Sequence, residues 1–253
     1  MDERLIFDIL LAALFALSAI IFALLTCMSA PYGRHGRKGW GPGINARVGW
    51  VIQELPAVVV VATCFFLGDR KTSLVAIVFL CMWLLHYVQR TFVFSVLMRG
   101  RDRTFPLLLM VFSIIFNTAN GYLNGRWLFT FSHVYEVSWL ADPRFLTGLL
   151  IFLAGFVINV HSDGILRRLR KPGAAGYGIP HGGLFDYVSG ANYFGEILEW
   201  TGWAVATWSL PGLAFAAFTV ANLAPRANTH HAWYRKQFSD YPRKRKAIIP
   251  FIW

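Results

Sequence analysis

The chain has 253 residues, which would suit one or two soluble domains. Apolar residues make up 56% of it and charged residues only 15%, too little charge to coat a water-facing surface, so an ordinary soluble domain is excluded and an all-α integral membrane protein is expected. The net charge of +11 does not call for nucleic acid, because basic loops against anionic lipid headgroups account for it, although an anionic cofactor would use the same surplus.

Seven apolar stretches approach the ~20 residues that span a bilayer as helix. They cover roughly residues 5–25, 51–67, 74–97, 105–123, 145–160, 184–206 and 210–224. Loops between them are short, with no internal repeat and no low-complexity linker, so residues 1–253 read as a single polytopic membrane domain with a basic tail from about residue 226. The first stretch is not expected to be a cleaved signal peptide. Its flank, Met1-Asp2-Glu3-Arg4, lacks a net positive charge, and the apolar run is long for that purpose. With the N-terminus outside, eighteen Lys and Arg fall on the inner side and five on the outer. That split predicts a cytoplasmic C-terminus and an odd number of spans. Cys27, Cys64 and Cys81 lie in or near spans without metal spacing and read as small buried apolar residues.

Ionisable and amide residues inside spans are costly and therefore functional candidates. Gln53-Glu54-Leu55-Pro56 comes near the start of the second stretch. Pro56 there suits a first turn, which would put Glu54 near a helix N-terminus, either as a dipole-complementing carboxylate or as a site residue. In the third stretch Tyr87 and Arg90 share a helix face, and an Arg at that depth needs a partner. Asn159, Asp163, Arg167 and Arg170 follow at spacings that make one stripe if the fifth span continues as helix, until Lys171-Pro172-Gly173 ends it. The stripe is either a salt-bridge ladder or the polar wall of a pocket for ribose, amide and phosphate. In the sixth stretch Asp186 precedes Asn192, Glu196 and Glu199, the last three again on one face. They must line a cavity or pair with cations of neighbouring helices. Arg226, His230 and Tyr234 recur every fourth residue, as a phosphate-binding stripe would. His230 and His231 point to different faces without a third ligand, so no metal site is expected. Gly41-Pro42-Gly43-Ile44-Asn45-Ala46 spells a loose dinucleotide motif, but without a preceding strand it is a chance match.

Taken together, these residues resemble the membrane-bound steroid 5α-reductase family. The resemblance runs from about Gln53 to Trp253. It is densest in Gln53-Glu54-Leu55-Pro56, His86-Tyr87 with Arg90-Thr91-Phe92, Asn159 to Gly173, Ile179-Pro180, Gly182-Gly183-Leu184-Phe185, Tyr187 to Asn192, Gly195-Glu196, Tyr241-Pro242 and Arg245 to Phe251. It implies about seven transmembrane helices enclosing an intramembrane cavity for NADPH and steroid. It implies that Glu54 and Tyr87 engage the steroid 3-oxo group. By the same resemblance Arg101, Asn159, Asp163, Arg170, Tyr177, Asn192, Glu196, Arg226, His230, Tyr234 and Arg245 correspond to cofactor-binding positions. Phe94 and Met98 depart from the Tyr and Asn of close vertebrate relatives, which bears on substrate range.

The implied reaction is reduction of the Δ4 bond of a 3-oxo-Δ4-steroid, with hydride added at C5 and a proton at C4. Negative charge develops on the carbonyl oxygen, where Tyr87 can donate a hydrogen bond; Glu54 either donates as an acid or orients Tyr87. Rival readings are a related reductase of a polyprenol or enoyl thioester, an isoprenyl-cysteine methyltransferase using S-adenosylmethionine, and a sterol receptor or transporter without chemistry. Transport is disfavoured because no inverted repeat is visible. The expected partners are a lipophilic steroid-like substrate and the bilayer, with no nucleic acid and no obligate protein partner. Bacterial inner membrane and endoplasmic reticulum fit equally well.

Overall fold

The computed structural model describes residues 2–31, 33–99, 104–169 and 177–253. Its long helices are α1 (Glu3–Cys27), α2 (Ala46–Leu67), α3 (Leu74–Val88), α5 (Leu107–Arg126), α6 (Pro143–Leu169), α7 (Ala191–Thr207) and α8 (Leu210–Gln237). A π-helical turn, Gln89–Val93, joins α3 to the short α4 (Phe94–Leu97), so helical backbone is continuous from Leu74 to Leu97. A second π turn, Trp127–Phe131, extends α5. The only sheet among the described residues is the three-residue antiparallel pair β1 (Gly43–Asn45) and β2 (Thr104–Pro106).

Five of these segments are long and apolar enough to cross a membrane: α1, α2, residues 74–97, residues 107–131 and α6. Their surfaces are inverted relative to a soluble protein. Phe66, Val96 and Leu150 are about two-thirds exposed or more, while Gln53, Asn117, Asn120, Asn124 and Asn159 are buried. That arrangement suits hydrocarbon outside and polar groups satisfied within. The chain is thus an all-α, multi-pass membrane protein. At 17 residues α7 is shorter than these five segments, and the second half of α8 carries Arg226, His230, His231, Arg235 and Lys236.

Two compact units are present: residues 1–12 with 31–146, and residues 13–30 with 147–253. In the first, α2 packs along α5. Gly121 and Gly125 of α5 face Val60, Val61 and Cys64 of α2, and a Cβ at Gly125 would stand 2.7 Å from the Cβ of Cys64. Arg70, just beyond α2, donates to the carbonyl oxygens of Leu128, Thr130, Ser132 and His133 and so caps the end of the second π turn with a cation. In the second unit, α6 and α7 run antiparallel with their backbones in contact. Gly148 is paired with Gly202 and Gly155 with Gly195. A Cβ on Gly148, Gly155 or Gly202 would come within 2.6 Å of the opposite glycine's carbonyl oxygen, and one on Gly195 within 2.8 Å. The seven-residue spacing of both pairs keeps one helix face together over two turns.

Three expectations change. The second span begins at Ala46, because Asn45 caps it by accepting from the backbone N–H groups of Arg47 and Val48. Pro56 and Glu54 therefore lie inside α2, away from its N-terminus. The helix expected as the sixth span, α7, begins at Ala191, not near residue 184; Asp186 sits in the preceding Gly183–Asp186 turn and accepts from the Gly182 N–H at 2.8 Å. Of the cysteines only Cys64 is buried; Cys27 and Cys81 are exposed on their helices.

Candidate functional site

In the first unit a polar cluster forms where Pro56 interrupts α2. Proline has no N–H to give to the carbonyl one turn back, so the local helix bonding is weakened. Side chains from two neighbouring helices bind the same stretch. Trp83 Nε1 of α3 donates to the Ala57 carbonyl at 2.9 Å, and Asn117 Nδ2 of α5 donates to the Gln53 carbonyl at 2.7 Å. The second Asn117 N–H reaches Glu54 Oε2 at 3.3 Å, while Gln53 Nε2 reaches Glu54 Oε1 at 3.4 Å. Tyr87 is buried one turn along α3 from Trp83, with ring centroids 4.9 Å apart, and His86 meets it edge-on at 4.9 Å. Trp83 thus links Tyr87 to the turn of α2 that follows Glu54. The buried Gln53 Oε1 and Asn120 Nδ2 have no hydrogen-bond partner among the described residues, so the cluster retains capacity for a polar group. Arg90 lies against aromatic faces, with its guanidinium carbon 4.9 Å from the Trp50 ring centroid and 4.5 Å from that of Phe94.

In the second unit the α6–α7 seam brings the predicted amide and carboxylate stripes together. Asn159 Nδ2 donates to the Asn192 carbonyl at 2.9 Å and to Glu196 Oε2 at 3.3 Å. Asn192 Nδ2 donates back to Asp163 Oδ1 at 3.1 Å. Asn159 and Asp163 of the α6 stripe therefore pair across helices. Glu199, one turn further along α7, is fully buried. On α8, Arg226 donates to Tyr193 Oη at 3.2 Å and to Asn222 Oδ1 at 3.3 Å, and its guanidinium lies 5.1 Å from the Tyr193 ring. His230 meets the same ring edge-on at 5.7 Å. Tyr193 thus links Arg226, His230 and α7, a role not singled out from sequence. Tyr234 is buried and stacks nearly parallel on Tyr241. Tyr177 packs against Trp233 at 5.5 Å. Arg101 and Arg170 lie outside the described residues, as does the Lys171-Pro172-Gly173 helix end.

Beyond α8 the basic tail folds back. Lys246 bridges to Val188 in parallel, and the N–H groups of Ser189 and Gly190 donate to the carbonyls of Lys246 and Ala247. Arg245 is only 3% exposed, donates to the Pro180 carbonyl at 3.0 Å, and lies 5.1 Å from the Tyr241 ring. Ser189 Oγ sits 2.6 Å from His231 Nδ1, 2.7 Å from Tyr241 Oη and 3.1 Å from the Lys246 carbonyl. Burial pushes the His231 pKa below its ordinary value, and the charges of Arg235, Arg245 and Lys246 add to this.

These residues suit a phosphorylated dinucleotide. Arg245 is buried, and its Nε has no hydrogen-bond partner among the described residues, so it can serve an anionic oxygen. Asn159, Asn192, Asp163 and Glu196 supply the mixed donors and acceptors that amides and ribose hydroxyls require. Among the described residues no group of three His, Cys, Asp or Glu side chains is placed to hold a metal.

A family profile described as 3-oxo-5-alpha-steroid 4-dehydrogenase matches residues 103–253. The chain is 46% identical to 3-oxo-5-alpha-steroid 4-dehydrogenase 1 of Bos taurus, over 99% of this chain and 98% of that protein. It is 47% identical to 3-oxo-5-alpha-steroid 4-dehydrogenase 2 of Homo sapiens, over 95% of this chain and 94% of that protein. Likeness of this extent takes in both polar clusters and the folded tail, and the chain belongs to the 3-oxo-5-alpha-steroid 4-dehydrogenase family.

Proposed function

We propose that this membrane oxidoreductase reduces the Δ4 double bond of 3-oxo-Δ4-steroids, of testosterone or progesterone type, to 5α-dihydro products with NADPH. The observation that carries the reading is near full-length likeness to named 3-oxo-5-alpha-steroid 4-dehydrogenases of both types. When bound, NADPH supplies the hydride. Charge then builds on the steroid 3-oxo oxygen, and the Tyr87 hydroxyl donates a hydrogen bond to it. Glu54 orients that hydroxyl. Both of its carboxyl oxygens already accept amide hydrogens, which favours an orienting acceptor over a second donor. Asn159, Asp163, Tyr177, Asn192, Glu196, Arg226, His230, Tyr234 and Arg245, with Arg101 and Arg170, bind the cofactor, the arginines holding its phosphates. This reading keeps residues 1–253 as one polytopic domain with seven spans, α7 and the first half of α8 being the last two. The C-terminus then lies in the cytoplasm, where NADPH is available.

The test is a product assay with purified protein, NADPH and testosterone or progesterone, resolving 5α from 5β products. A 5α product is expected. A 5β product, or reduction only of a polyprenol or enoyl thioester, overturns the assignment.

A further inference from the structure

We infer that Asn117 is a positioning residue for this reaction, setting the side-chain geometry of Glu54 from a different helix; the inference rests on the role proposed above for Glu54. Asn117 is buried in the middle of α5, where an amide facing apolar neighbours alone would be costly. Its single Nδ2 carries two hydrogens, and both are used on α2. One goes to the Gln53 carbonyl at 2.7 Å and the other to Glu54 Oε2 at 3.3 Å. The first bond anchors the amide to backbone, so the second is aimed from a fixed point. Gln53 Nε2 approaches the other carboxyl oxygen at 3.4 Å. Glu54 is therefore gripped at both oxygens by amides, one from its own helix and one from α5.

Helix packing keeps that grip in place. Gly121 and Gly125, one and two turns beyond Asn117, let α5 lie close against α2. Trp83 holds the following turn of α2 from the α3 side. The grip falls at the one stretch of α2 where Pro56 has weakened the helix's own bonding, so side chains rather than backbone fix the direction of Glu54. Asn120 and Asn124 continue the buried amide face of α5 but bond within that helix, Asn124 Nδ2 donating to Asn120 Oδ1 at 3.0 Å and to the Asn120 carbonyl at 3.1 Å. Asn117 instead reaches across to the Glu54 carboxylate.

A double-mutant cycle in detergent-solubilised full-length protein tests the inference, read as single-turnover NADPH oxidation at saturating testosterone. Asn117→Ala should slow hydride transfer by roughly ten- to a hundredfold, the loss expected for a hydrogen bond to a charged group. The affinity for NADPH should not change. In a Glu54→Ala background the same change should have almost no effect, because Asn117 acts only through Glu54. Asn117→Ser, which keeps a small donor, should recover part of the rate and covers the case in which the alanine variant folds poorly. A normal rate in both Asn117 variants, with Glu54→Ala slow, overturns the inference and leaves the role of Glu54 standing. Equal slowing by Asn117→Ala with and without Glu54 overturns it too, since that marks general loss of structure. A normal rate in Glu54→Ala would remove the role of Glu54 and this inference with it.

Discussion

Gly155→Ala should damage both stability and cofactor binding, although the added methyl lies in a helix and away from any proposed ligand contact. In the native seam a Cβ at residue 155 would stand 2.6 Å from the Gly195 carbonyl oxygen, and the obstacle is backbone, which cannot rotate aside as a side chain would. The Glu199 backbone N would be nearer still, at 2.3 Å, so ordinary contact at about 3.5 Å would require α6 and α7 to part locally by roughly 1 Å. One turn away, the Asn159 to Asn192 bond of 2.9 Å would then stretch beyond hydrogen-bonding range, and the 3.3 Å bond to Glu196 would be lost as well. Overpacking costs about 1–3 kcal/mol and each lost bond about 0.5–1.5 kcal/mol. Better helix propensity returns at most about 1 kcal/mol, so the net loss should be about 1–6 kcal/mol. Gly164→Ala is the control. Its Cβ would meet only the ends of Arg167 and Arg168 at 3.8 Å, so it should be neutral or slightly stabilising. Thermal inactivation in detergent, with NADPH titration by fluorescence, reads both effects. A Gly155→Ala protein matching Gly164→Ala in midpoint temperature and NADPH affinity would refute the close-packed seam as the device that sets the Asn159–Asn192 register.

Tyr87→Phe should lower single-turnover hydride transfer by roughly a hundred- to a thousandfold while NADPH affinity stays the same, since one oxyanion donor is removed and the ring is kept; comparable rates would rule out Tyr87 as that donor. Arg226→Ala should weaken NADPH binding by roughly ten- to a hundredfold and NADH binding less, if its guanidinium serves the 2′-phosphate; equal losses by equilibrium titration would assign it elsewhere. The pKa of His231 is depressed below 6.5 in the folded protein, so the unfolded chain takes up the proton first as pH falls. Its stabilising contribution is complete above about pH 6.5 and is lost as pH drops through the lower folded value. Thermal inactivation midpoints should fall over that range in the parent and fall less in His231→Asn.

The membrane character and most helix positions were legible because hydrocarbon demands long apolar runs. The predicted third span, residues 74–97, coincides with continuous helix. So does the continuation of the fifth span past Val160, which the four-residue spacing of Asn159 and Asp163 announced. Helix starts were harder. Asn45-Ala46-Arg47 reads as loop by hydropathy, yet the Asn45 side chain caps the helix there. That moved Glu54 from a helix terminus, where a dipole would have explained it, to an interior that needs a partner on another helix. The stretch before Ala191 failed the other way. Gly183-Leu184-Phe185 is apolar enough to prolong a span, but Gly182 and Gly183 have positive φ, and the N–H groups that follow pair with Lys246 and Ala247 about 57 residues later. No local pattern carries such a pairing.

The same distinction decides what could be known of the site. Asn159, Asn192 and Glu196 stood out because each lies on a polar stripe, and a polar stripe in a span must face something. What it faces depends on helix register, and here that was written in the glycines. Gly148 with Gly155 and Gly195 with Gly202 repeat at seven residues on both helices, a signal visible in the sequence once the two runs are compared. Asn117 is harder to read. With Asn120 and Asn124 it forms an amide face on α5, but nothing local says what that face meets, and the two acceptors of Asn117 are more than sixty residues away. Its meaning comes only from α5 lying against α2 at the proline. Arg90 makes the parallel point: an arginine in a span needs a partner, and the ring faces of Trp50 and Phe94 lie within 5 Å of its guanidinium carbon. Buried polar groups therefore mark where chemistry can occur in this fold, while the small residues between helices determine which of them can reach one another.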